Sequence, residues 1–290
     1  MELSFGLKTP PVHTTYDEIL RVWQEADTVP AIEHAWLWDH FVPLFGDPAG
    51  PILEGWTLLA ALAARTERLG LGLMVSANMA RPPAVLGKMA ATVDAISGGR
   101  LVFGIGVGGT ALDRPHQDLV LREYHGYGLP LVSPDEGIAR LAETCSLVRR
   151  MWTGEPFSGE AVCVPARQLP ILIGGWGRRT LRVVAEHADI WNVPGPPHNA
   201  ITYLAERSRI LDEHCAAMGR DPREITRSTQ VIVSYDDPAA TRAVLHELTG
   251  IGFSHLVLNL AAPYPQGVAR WLAEEIVEPV LLGQGAQVRQ

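Results

Sequence analysis

Apolar positions along the chain fall into two kinds of stretch, short runs with a period of two or none and longer ones with a period near 3.6, and the two kinds alternate from end to end. Leu3 to Leu7 reads as a strand that stops at Thr9-Pro10-Pro11. Thr15 caps a predicted helix to about Ala26, with Asp17 and Glu18 in its first turn and Ile19, Leu20, Val22 and Trp23 on its apolar face. Further strands are predicted over His34 to His40, Leu69 to Ser76, Leu101 to Gly106, Pro170 to Ile173, Ile190 to Val193, Ile225 to Ser234 and His255 to Leu260. Between them lie helices over Trp56 to Arg65, Pro82-Pro83 to Ile96, Asp135 to Trp152, Arg178 to His187, Ala200 to Met218 and Pro238 to Thr249, and a last helix runs from Val268 to Leu282.

Strands joined by helices of this length pair in parallel. Eight of them, with no Ser- or Gly-rich linker between, predict an α/β protein in which residues 1–290 form one (β/α)8 TIM barrel. A doubly wound open sheet is the alternative. Thr110 to Pro134 has no clean period, which predicts an insertion after the fourth strand, lying over the active face. Phe157 to Val164 reads as a short extra hairpin or strand.

Composition narrows the function. A chain of 290 residues with 47% hydrophobic and 19% charged positions can bury a large core, so it is expected to fold alone or as a homodimer. Lys and Arg total 24 against 32 Asp and Glu, a formal charge of -8, which suits a small organic substrate rather than nucleic acid or an anionic membrane. Cys145, Cys163 and Cys215 lack the paired spacing of a metal site and are expected as free thiols. No basic leader and no apolar run of the ~18 residues needed to span a bilayer are read, so a cytoplasmic location is expected.

In a barrel of this type chemistry sits at the C-terminal ends of strands. The second strand ends in Asp39-His40, and an imidazole beside a carboxylate can hold or pass a proton near neutral pH. The structural alternative is an Asp closing a turn. The third strand ends near Met74-Val75-Ser76, and the fourth in Gly104 to Gly109, a G-x-G-x-G run that opens no helix and so fits the dinucleotide fingerprint poorly. That run reads equally as a tight turn and as backbone open to a flat ring. The fifth strand ends in Gly174-Gly175-Trp176-Gly177-Arg178-Arg179-Thr180, which places backbone N–H groups, two guanidinium groups and a hydroxyl at a helix start, a phosphate-binding arrangement. Trp36, Trp38 and Trp191 read first as core.

These residues resemble the luciferase-like monooxygenase superfamily, and within it the branch that uses the deazaflavin coenzyme F420. The motifs are Trp38-Asp39-His40-Phe41, Arg81-Pro82-Pro83-Ala84, Asp94 to Leu101 followed by Gly104 to Gly108, Leu147 to Gly154 and Pro170 to Trp191. The resemblance implies a TIM barrel with the coenzyme ring across its C-terminal mouth, held by Asp39, Val75, Ser76, Gly106, Val107, Gly108 and Gly109. It also implies a non-proline cis peptide near Met74, Val75 or Ser76, the coenzyme phosphate at Gly174 to Thr180, and His40 and Asp39 as the proton-handling pair. The implied activity is oxidoreductase chemistry, hydride transfer between the deazaflavin and a small organic substrate such as an enone or imine. A reduced-FMN monooxygenase is the alternative, and a non-catalytic flavin-binding protein ranks last.

Three positions depart from the sugar-phosphate dehydrogenases of that branch. Gly109 stands where they carry a Glu, Leu44 stands where they carry a Trp, and His255 to Leu260 lacks the Lys that would grip a sugar phosphate. A more apolar substrate is expected, with the acid of the reaction unaccounted for.

Overall fold

The chain winds strand, helix, strand in the order its periodicity predicts, and the computed structural model describes residues 2–108 and 117–287. The strands are β1 (Ser4–Lys8), β2 (His34–Leu37), β3 (Gly70–Leu73), β4 (Ser76–Ala77), β5 (Leu101–Gly106), β6 (Ile171–Gly174), β7 (Ile190–Val193), β8 (Thr226–Ile232) and β9 (His255–Asn259). The helices are α1 (Tyr16–Asp27), α2 (Gly55–Ala63), α3 (Pro83–Ser97), α4 (Gln117–Gly126), α5 (Pro134–Met151), α6 (Arg178–His187), α7 (Ile201–Met218), α8 (Pro238–Gly250), α9 (Val268–Leu272) and α10 (Glu278–Gln287). Each strand pairs in parallel with its neighbours, and β3 bonds β5, so the sheet closes into a barrel. It has eight staves, because β3 and β4 are two pieces of one strand, interrupted by a cis peptide between Met74 and Val75.

Side-chain alternation along parallel strands divides the core in two. Phe5, Leu7, Ala35, Leu37, Leu71, Leu73, Phe103, Ile105, Ile171, Ile173 and Val193 face outward and pack beneath the helices, joined by Trp23, Trp56 and Trp152. Burial of each such side chain stabilises by roughly 1.5–3 kcal/mol, which is what holds the helical layer on the sheet. Trp36, Met74, Leu172 and Val257 form a separate cluster that fills the barrel interior. Thr15 and Glu18 cap α1 reciprocally, as the sequence predicts.

Several expectations are corrected. The second strand ends at Leu37, so Trp38, Asp39 and His40 lie in the loop beyond it. The region expected to be irregular contains α4, while Gly109 to His116 lie outside the described residues. The expected hairpin is a single bridge between Ser158 and Ala161. A π-helical turn over Ala273–Val277 joins α9 to α10, and the helix continues past Leu282. All three cysteines are free and buried. Among the described residues no helix is long and apolar enough to cross a membrane.

Candidate active site at the barrel mouth

Val75 lies at the break in the third strand, and its side chain packs against two glycines. A Cβ on Gly106 would lie 2.7 Å from Val75 Cγ2, and one on Gly174 would lie 2.9 Å from Val75 Cγ1. These two glycines, paired across β5 and β6, therefore make room for a neighbouring side chain rather than only opening the backbone to a ligand. Ser76 is fully buried, and its hydroxyl accepts from Trp56 Nε1 at 2.9 Å, which ties the strand to α2. Ser76 is thus a support for Val75, not a polar contact in the mouth. Val107 packs against the outer core, and Gly108, at φ 57°, lies beside Ala77 and the Tyr124 hydroxyl.

Asp39 and His40 have separate partners. Arg81 donates to Asp39 through Nη1 to Oδ2 at 2.6 Å and Nη2 to Oδ1 at 3.0 Å, and the same guanidinium reaches Glu54, which caps α2 through Trp56 and Thr57 N–H. Burial pushes the Asp39 carboxyl above its ordinary value, against the pull of Arg81. Both Asp39 oxygens accept from Arg81, which ties the loop to the start of α3, and Asp39 makes no hydrogen bond to His40 among the described residues. The His40 ring is held by Glu123 instead: Nδ1 lies 3.1 Å from Oε2 and 3.3 Å from Oε1, and Glu123 also accepts from the Phe41 N–H. A carboxylate only accepts, so Nδ1 is the donor in this contact, and in the neutral form of the ring Nε2 is the acceptor. Trp38 meets His40 edge-on, at 5.4 Å between ring centroids, which fixes the plane of the imidazole.

Sequence reasoning missed Glu123. It is 2% exposed, and α4 buries Glu123 and Tyr124 in place of an apolar stripe, so hydrophobic periodicity has nothing to register. Arg81 was visible as part of a motif, without a role. Lys8, which no motif in the sequence marks, is buried at the end of β1 and donates from Nζ to Gln230 Oε1 at 2.8 Å.

On the opposite side of the mouth, α6 begins at Gly177 with no side chain capping its N-terminus. Trp191 is fully buried and donates from Nε1 to Gly175 O at 2.7 Å, which sets the turn. Trp176 stacks on His198 at 4.2 Å. Thr180 is buried beside Gly175. The two arginines do not converge on this turn as expected: Arg178 and Arg179 are largely exposed and ion-paired with Glu213 and Asp135.

The mouth suits a flat ring with polar edges. Four buried polar atoms, Trp38 Nε1, Asn78 Oδ1 and Asn259 Oδ1 at or just beyond strand ends and Tyr124 OH on α4, have no hydrogen-bond partner among the described residues. Buried groups of this kind are normally satisfied, so a ligand with matching donors and acceptors fits here. Adjoining Arg81 is a cavity of about 580 Å³, walled largely by apolar residues such as Met79, Pro82, Pro83, Leu129 and Leu147.

The profile of the luciferase-like monooxygenase family matches residues 3–275. A phthiodiolone/phenolphthiodiolone dimycocerosates ketoreductase of Mycobacterium tuberculosis (strain ATCC 25618 / H37Rv) is 29% identical over 279 residues, covering 84% of this chain and 65% of that protein. An F420-dependent glucose-6-phosphate dehydrogenase of Intrasporangium calvum is 30% identical over 216 residues, covering 70% of this chain and 61% of that protein. The chain thus spans less than two thirds of the length of these curated relatives. The structure of an F420-dependent secondary alcohol dehydrogenase in complex with an F420-acetone adduct superposes with a TM-score of 0.79 at 16% identity, covering 97% of this chain and 99% of that one, and so shares its fold. With a profile match that runs from the first strand into the last helical segment, the chain belongs to the luciferase-like monooxygenase family.

Proposed function

We propose that residues 1–290 act as one barrel domain of an F420-dependent oxidoreductase, moving a hydride between the coenzyme and a small, mostly apolar organic substrate. The observation that carries the reading is the His40–Glu123 pair at the mouth of a barrel whose floor is Val75 between two glycines. The activities of the ketoreductase and F420-dependent dehydrogenase relatives support it.

When bound, the deazaflavin supplies a carbon, C5, that accepts or gives up hydride. The protein does the rest. Val75 would support the ring, and the polar atoms of Trp38, Asn78, Tyr124 and Asn259 that lack partners among the described residues would serve its edges. Backbone N–H groups of Gly177 to Thr180 and the Thr180 hydroxyl would hold the coenzyme phosphate, which suits an uncapped helix start. His40 holds or moves a proton at Nε2, with Glu123 fixing its tautomer, and Asp39 and Arg81 keep the loop in place. The apolar cavity beside Arg81 receives the substrate, in keeping with the departures from a sugar-phosphate site.

Titrations with F420, FMN and NADPH, followed by fluorescence, test the assignment. F420 is expected to bind tightest, and a substrate is then expected to change its visible absorbance. Binding of FMN without F420 would transfer the chain to the reduced-FMN monooxygenases.

A further inference from the structure

This chain contains only two lysines, Lys8 and Lys88, among 24 Lys and Arg positions. Guanidinium is the side chain it uses almost everywhere a positive charge is needed, and guanidinium stays charged at any ordinary pH, whereas an amine can be tuned. Lys8 is therefore a specific choice, and it sits inside the barrel. A Cβ on Gly6, two positions earlier, would collide with the His34 ring, so this face of β1 points to the barrel axis. Lys8 is 6% exposed.

Its surroundings are neutral. Nζ donates to Gln230 Oε1 on β8 and lies 5.6 Å from the centroid of the Trp38 ring beyond β2, and Asn259 on β9 is its register partner. The Gln230 amide cannot turn over freely, because its Nε2 is committed to Asn192 Oδ1 at 3.1 Å. His255 and His34, toward the other end of the barrel, are pushed down by burial and carry no charge near neutral pH. Burial alone lowers the Lys8 amine, to about 8, and among the described residues no carboxylate contributes. A buried ammonium without a counter-ion is costly, and beside it Trp38 Nε1 and Asn259 Oδ1 have no hydrogen-bond partner among the described residues.

We propose that Lys8 is a further residue that contacts the coenzyme, its ammonium serving as counter-ion for negative charge on the bound deazaflavin ring. This rests on the coenzyme reading above. A hydride brings two electrons and one proton, so a ring that accepts it gains one unit of negative charge, and Lys8 offsets that unit at the floor of the mouth. Charges placed beside a cofactor ring are a principal means by which a protein sets its electronic properties.

Protein labelled with ¹³Cε-lysine gives two lysine signals, assigned by their loss in Lys8→Met and Lys88→Met. Each is titrated by NMR from pH 6 to 10 with and without saturating F420, whose binding is followed separately by its fluorescence. Charge pairing raises the Lys8 midpoint by at least one pH unit, a tenfold change in proton affinity, and leaves Lys88 unmoved. Lys8→Met, shown to be folded by circular dichroism, binds F420 at least tenfold more weakly; should it not fold, the wild-type titration decides alone. An unmoved Lys8 midpoint with F420 bound overturns the Lys8 assignment and leaves the coenzyme reading standing. Absence of F420 binding overturns both.

Discussion

His40 Nδ1 meets Glu123 Oε2 at 3.1 Å, a contact across 83 positions of sequence that joins the loop after the second strand to a helix of the insertion. α4 thus brings a buried carboxylate to the His40 ring. Glu123→Gln preserves shape and can still accept from the Phe41 N–H, but removes the carboxylate that fixes the imidazole. Single-turnover hydride transfer is expected to slow by about 100-fold, with coenzyme affinity nearly unchanged. A wild-type rate in this variant would remove Glu123 from the mechanism.

His40→Ala is expected to lose about 100-fold or more in turnover, again with little loss of affinity. Because Glu123 acts through His40, the double variant His40→Ala, Glu123→Gln should be no slower than His40→Ala alone. Additive losses in a double-mutant cycle would mean that the two residues work independently.

Thr180→Val should weaken coenzyme binding by roughly 10- to 100-fold, the effect of one lost hydrogen bond to a charged group of about 1.5–3 kcal/mol. Arg178→Ala and Arg179→Ala should change affinity by less than about threefold, since exposed ion pairs contribute little and both side chains are engaged elsewhere. Equilibrium titration of the three variants separates the turn from the arginines; a large loss in either arginine variant contradicts this division.

Gly106→Ala puts a methyl group 2.7 Å from Val75 Cγ2, inside contact distance, and Val is too stiff at χ1 to step aside. Urea unfolding should show a loss of about 1–3 kcal/mol, the usual cost of overpacking. Adding Val75→Ala should restore most of it. If the second substitution makes matters worse, the glycine is needed for another reason.

The stacked His34 and His255 rings, 4.0 Å apart, give stability a pH dependence. Burial lowers His255 to about 4 and His34 well below its ordinary value. The unfolded chain takes up protons at these rings below about pH 6.5 while the folded chain resists them, so stability falls as pH drops from 6.5 toward 4, by about 3 kcal/mol from His255 alone. Urea midpoints measured across that range should decline with acid, and less steeply in His255→Asn. Equal slopes in the two proteins would show that these rings are not responsible.

The barrel was legible because its outward residues, Phe5, Leu37, Phe103 and Ile173 among them, are mostly apolar where they are buried, and burial leaves that trace in sequence. Asp39, His40 and the fifth-strand turn were legible from their place after strands. Partnerships were not. Asp39 with Arg81 and His40 with Glu123 join positions 42 and 83 residues apart, and nothing local in either segment encodes its mate. Lys8 escaped notice because one polar residue closing an apolar strand looks like the strand's exit, although the closed barrel buries it.

One line of hydrogen bonds inside the barrel runs a single way from Lys8 to Ser228. Lys8 donates to Gln230, Gln230 to Asn192 and Asn192 to Ser228, and the Ser228 hydroxyl completes the line against His255 Nδ1. Two side-chain amides locked in sequence have aligned dipoles, with their negative ends toward the amine. Inversion of one amide would oblige the other to invert, so the line behaves as a single polarised element. A proton added to His255 Nδ1 would turn that atom into a donor and oppose the line at its far end. The amine beneath the mouth is therefore joined, through two amides and a hydroxyl, to a histidine at the opposite end of the barrel.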